Sequence, residues 1–102
     1  MKGKSKTGSK GVVGMRKLAD LVGKNYFFRT VTYHMLGKVV GVSGSFVQLE
    51  GAVWVADSGR FADAIKNGTL TEVEPLCSTW YVNMETVTDF GEWIHDLPTV
   101  QK

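Results

Sequence analysis

A chain of 102 residues with a net charge of +2, 43% hydrophobic side chains and one cysteine has the size of a single domain. Cys77 has no cysteine partner, so an intramolecular disulfide is excluded and a reducing, cytoplasmic compartment is expected. No apolar run is long enough to span a membrane. The remaining borderline metal ligands, His34 and His95, lie far apart, so neither zinc nor any cofactor is expected.

The net charge conceals an asymmetry. Residues 1–24 carry seven basic side chains against Asp20 alone, a balance of +6, while the remainder carries five basic against nine acidic, a balance of −4. Residues 1–13 read as a flexible basic arm bearing Lys2, Lys4, Lys6 and Lys10, because Lys, Gly, Ser and Thr cannot bury enough apolar surface to offset ordering entropy. A domain over 14–97 follows, and 98–102 is expected to be a loose tail.

Met15, Leu18, Ala19 and Val22 recur at helical spacing, with Arg16, Lys17 and Asp20 opposite and Gly23 as a stop, which predicts a short amphipathic helix of about two turns. From Asn25 the segment "NYFFRTVTYHMLGKVVGV" is aromatic and β-branched, predicting two strands divided by a bend within 33–37. Ser43, Gly44 and Ser45 have the composition of a hairpin turn. In the third strand, "FVQLEGAVWVA", Val47, Leu49, Val53 and Val55 form an apolar set against Gln48, Glu50 and Trp54, with Gly51 at a bulge or bend.

Asp57 or Ser58 is then placed to cap a small helix in which Phe61 and Ile65 share a face and Gly68 ends the element. "TEVEPL" reads as a surface crossing. Two final strands, "STWYVNME" and "TVTDFGEWIH", meet at a tight connection around 83–86. The fold class expected is mainly β: five strongly bent strands, a short N-terminal helix, and a short helix inserted between strands 3 and 4.

This order resembles the Sm and LSm family of small β-barrel ring proteins, including its Hfq-like bacterial branch, and most closely the phage-associated Sm-like proteins of marine sequence data. Gly37, Val39, Val42, Ser43, Phe46 and Leu49 fit the first Sm motif with one extra residue in the turn. Tyr81, Val82 and Val87 around Asn83, Met84 and Glu85 fit the second. The resemblance covers 15–94, interrupted by an insertion at 57–76. It implies a small SH3-type barrel and a homo-oligomeric ring of roughly five to seven copies closed by strand pairing. It also implies RNA binding at the two turns. In the family, the first turn supplies a base-stacking side chain and an Asn, and the second a basic residue followed by Gly. This chain has Ser45 and Val47 at the first pair of positions and Asn83 and Met84 at the second. Ser45 offers no flat surface to a base, so the uridine preference of the family is not expected here.

The function expected is binding of RNA and/or single-stranded DNA mainly through phosphate contacts, in nucleic-acid processing or chaperoning. The candidate residues are Lys2, Lys4, Lys6, Lys10, Arg16, Lys17, Ser43, Gly44, Ser45, Phe46, Asn83 and Met84. The four glycines of 36–51 have neither Walker nor dinucleotide spacing, which sets aside a phosphate loop. An alternative is a ring that mediates protein interactions or sequesters a small nucleotide, with Trp54, Trp80 and Trp93 lining its pocket. Catalysis is not expected: Asp57, Asp63, Glu72 and Glu74 crowd the insertion without a His or Cys converging on them.

Overall fold

The computed structural model describes residues 16–102. Six strands form one antiparallel, unclosed sheet: β1 (Asn25–Arg29), β2 (His34–Ser43), β3 (Phe46–Asp57), β4 (Glu72–Pro75), β5 (Trp80–Asn83) and β6 (Asp89–Glu92). The strand path is β4-β3-β2-β1-β6, and β5 pairs with the first half of β3 beside β4 on the second half. Among the described residues one α-helix, α1 (Phe61–Asn67), stands between β3 and β4.

Where five strands are expected, the described residues form six. The extra one is β4, which had read as a surface crossing; Val73 is buried against the sheet while Glu72 and Glu74 face solvent, a half-buried alternation too short to stand out between a helix and a proline. The tail is not loose either. Val73 and Lys102 exchange backbone hydrogen bonds of 3.0 and 3.1 Å, and Lys102 Nζ donates to Leu70 O at 2.7 Å, so the last residue lies along the outer edge of β4.

Instead of a two-turn helix, the described N-terminal segment makes one 3-10 turn (Leu18–Leu21). Val22 is already extended and Gly23 N–H donates to Val39 O, so the sheet claims the residues a second turn needs. The bend between β1 and β2 falls at 30–33 rather than 33–37, because Thr30 N–H and Oγ1 both donate to Tyr33 O and close the turn there. Val31, at its tip, is 87% exposed.

Two apolar cores lie on opposite sides of the sheet. Phe28, Met35, Val39, Val47, Leu49 and Val82 pack on one side under the 3-10 turn. Phe27, Leu36, Val53, Val55, Val73 and Trp93 pack on the other, beneath Ala64 of α1 and the segment around Leu97. Consecutive residues Phe27 and Phe28, like Met35 and Leu36, feed one core each, as strand alternation requires.

The expected apolar face of β3 divides between them. Leu36 pairs with Val53 and Lys38 with Glu50, so two residues of β3, Gly51 and Ala52, oppose Gly37 alone. Gly51 has φ +64°, the left-handed conformation of a bulge residue that glycine adopts without strain. The added residue reverses the parity of the strand. Val47 and Leu49 consequently face the first core, and Val53 and Val55 the second.

The cap of α1 also differs from expectation. Arg60 occupies the cap position without a side-chain bond, while Asp57 accepts from Gly59 N–H at 2.8 Å in a turn before the helix. Phe61 and Ile65 share a face but stay 42% and 41% exposed; the buried residue of the helix is Ala64.

Candidate functional site

The hairpin joining β2 to β3 has two central residues, since Ser43 pairs with Phe46. Gly44 has φ +58°, and Ser45 is not among the positive-φ residues, the pattern of a type II′ turn that matches the twist of its strands. The connection from β5 to β6 is longer, residues 84–88, and opens with a 3-10 turn (Met84–Thr86) in which Asn83 Oδ1 accepts from Glu85 N–H at 3.0 Å.

The sheet brings these two turns together. Phe46 pairs with Asn83, Met84 N–H donates to Ser45 O at 2.8 Å, and Ser45 Oγ donates to Asn83 Oδ1 at 3.4 Å. Ser43, Phe46 and Asn83 lie side by side on the outer face of the sheet, with Gln48 in the next row, because Val47, Leu49 and Val82 take the inner face. Phe46 is 43% exposed, an aromatic face beside an amide and two hydroxyls. Such a group can stack on a base and hydrogen-bond its edge. Met84, by contrast, packs against the first core and offers the site its backbone more than its side chain.

Arg16 and Lys17 are exposed at the start of the 3-10 turn. Their backbone N–H groups donate to Asp20 Oδ2 at 2.8 and 3.2 Å, and these bonds, more than the two basic side chains, hold the Asp20 carboxyl below its usual value. The turn presents two cations while its own carboxylate is spent on the backbone. Lys2, Lys4, Lys6 and Lys10 lie outside the described residues. The three tryptophans do not converge: Trp93 is stacked on Phe27 in the second core, Trp54 packs against the first, and Trp80 is exposed on β5.

A second cluster, absent from the expectations, stands at the far end of β1. Arg29 donates through Nε and Nη2 to the two oxygens of Asp89, at 2.6 and 2.5 Å, and its guanidinium lies 4.3 Å from the centroid of the Phe61 ring. These hydrogen bonds hold the Asp89 carboxyl below its ordinary value and raise that of Arg29. The residues are 60 apart in sequence and meet only through the pairing of β1 with β6, so no local spacing announces them. Among the described residues, no three His, Cys, Asp or Glu side chains come together as metal ligands.

Beside this ion pair, the His34 ring tilts against Phe27 with centroids 5.2 Å apart, and its Nδ1 is buried without a hydrogen-bond partner among the described residues. Burial, and then the charge of Arg29, hold its pKa below the ordinary 6.5, against smaller opposing effects from Tyr33 and Asp89. The unfolded chain therefore takes up this proton at higher pH than the folded one. The contribution of neutral His34 is fully present above 6.5 and is lost as the pH falls below it. The melting temperature is expected to fall between about pH 7.5 and 5.5, and His34→Phe to flatten that fall. An equally steep fall in the variant would assign the effect elsewhere.

No described helix is long and apolar enough to cross a membrane. Comparison with protein-family models, with curated proteins and with solved structures finds no match to this chain.

Proposed function

We propose that the chain is an Sm-like, ring-forming protein that binds RNA and/or single-stranded DNA mainly through phosphate contacts, in nucleic-acid processing or chaperoning. The observation that carries this reading is the junction of the two turns, Met84 N–H on Ser45 O, which unites the two segments matching the Sm motifs into one surface. Further support comes from the basic N-terminal segment and the exposed Arg16 and Lys17. Ring closure is supported by two strands, β5 and β6, that each pair with only one other strand among the described residues. β5 contains neither Lys nor Pro, the residues that blunt an edge against pairing.

Phosphate contacts position a polymer without distinguishing its bases. Phe46 supplies one aromatic surface, and base stacking is tolerant of sequence. Oligo-U, oligo-A and single-stranded DNA of equal length are therefore expected to bind within about tenfold of one another, a spread of about 1.4 kcal/mol. Fluorescence anisotropy across a salt series tests this. Tight binding of oligo-U alone, abolished by Asn83→Ala, would overturn the base-blind mechanism. Absence of polymer binding at low salt, with nucleotide retained by the purified protein, would favour the sequestering ring.

A further inference from the structure

The ion pair of Arg29 and Asp89 forms one end of a groove of about 380 Å³ between α1 and β6, with Phe27 and Gly91 along its floor and Phe61 and Ile65 along its wall. The groove exists because residue 91 is a glycine. Glycine weakens a strand interior, and it is usually explained by a left-handed φ or by a neighbour that a side chain would strike. Neither applies here: Gly91 is not among the positive-φ glycines, and a Cβ added to it meets nothing within 4 Å among the described residues. The space it leaves lies beside the edge of β6 that no other described strand pairs, open to a group arriving along that edge.

β5, which also has a single partner strand among the described residues, carries a fitting group. Val82 of β5 belongs to the first core, so Tyr81 and Asn83 face the opposite way; Tyr81 is 54% exposed. On β6, Phe90 packs toward that same core, and Asp89 and Gly91, the partners of Arg29 and Phe27, face outward. If β5 of one copy extends the sheet of another along β6 with inner faces aligned, Tyr81 falls on the row of Asp89 and Gly91. Asp89 is held by Arg29, and the open position is Gly91.

We propose that Tyr81 of one copy of this chain seats in the groove over Gly91 of the next, against Phe61 and Ile65, and that the inserted helix α1 thus serves as a clamp between subunits. The inference rests on the ring-forming reading above and adds the residues that make the contact. Tyrosine suits the role, combining a large apolar body with a polar tip and few rotatable bonds. The contact is heterologous, knob on one edge and hole on the other, so it propagates from copy to copy until the ring closes.

Gly91→Val tests it without endangering the fold, because a Cβ at this position meets no described atom within 4 Å, the groove lies beside it, and valine favours a strand. Sedimentation at tens of micromolar is expected to give an assembly for the wild type. For Gly91→Val and for Tyr81→Ala the dissociation concentration should rise at least tenfold, with an unchanged circular dichroism spectrum.

A second variant blocks the other edge. Since Met84 N–H points to Ser45 O, alternation along the ladder turns the Tyr81 N–H toward the open edge, where proline removes no bond to β3. Tyr81→Pro and Gly91→Val each keep one working face, so a mixture is expected to give one-to-one dimers and nothing larger. A wild-type monomer would overturn both the ring reading and this contact. An assembled wild type with an equally assembled Gly91→Val, or a mixture that forms no dimer, would overturn the contact and leave the ring standing.

Discussion

Deletion of residues 1–11 is expected to make nucleic-acid binding markedly less sensitive to salt. The segment carries Lys2, Lys4, Lys6 and Lys10, four of the seven basic residues that precede residue 25. Each lysine that neutralises a phosphate on a single strand releases about 0.7 of a counterion, so four of them steepen the log–log salt dependence by about 2.8. Between 50 and 200 mM salt, that slope corresponds to about a 50-fold loss of affinity in the full chain which the shortened chain does not suffer. Anisotropy titrations of a labelled single strand at four salt concentrations measure both slopes. Identical slopes would mean that these lysines contact no phosphate and that binding resides on the rest of the chain.

Phe28→Ala is expected to be the most damaging single change in the first core. Phe28 is fully buried, pairs with Met35 and Phe90 across both neighbouring strands, and its ring lies 5.8 Å from that of Phe90 and 6.1 Å from that of Tyr26. Truncating a buried phenylalanine costs about 3–5 kcal/mol, through lost transfer energy and the cavity left behind. Against a total of about 5–15 kcal/mol for a domain, this is a large share. At about 4 °C or more per kcal/mol, the melting temperature should fall by at least about 12 °C. Val31→Ala provides the comparison: on an exposed turn it should shift stability by less than about 0.5 kcal/mol. A small effect at Phe28 would mean that the aromatic cluster of Tyr26, Phe28 and Phe90 is not the anchor of this core.

Most of the strands were legible because their signals are local. Residues 25–29 and 34–43 are dense in aromatic and β-branched side chains, Gly44 stands where a two-residue hairpin needs it, and Gly68 ends α1 in the left-handed conformation. The two turns of the candidate site could be matched to motifs for the same reason. What stayed hidden depends on partners distant in the chain. The strand Glu72–Pro75 exists by virtue of the free half of β3, and the place of Lys102 by virtue of the free edge of that strand. The groove at Gly91 required α1, β1 and β6 to be assembled first. Even the clearest pattern misled: Val47, Leu49, Val53 and Val55 fall at even spacing, yet one extra residue at the bulge sends the pairs to opposite sides.

That bulge determines how the chain tolerates changes in length. The loops on either side of α1, between β3 and β4, accept such changes, because an added residue in an exposed loop displaces only its neighbours. A single residue lost at Gly51 is a different event. It turns the end of β3 over, so that Ala52 and Trp54 trade places with Val53 and Val55. Ala64, Leu70 and Trp93 then meet alanine and tryptophan where two valines had been, and the inserted helix loses its seat. The helix is thus secured less by the loop that delivers it than by the counting of residues in a strand several positions upstream.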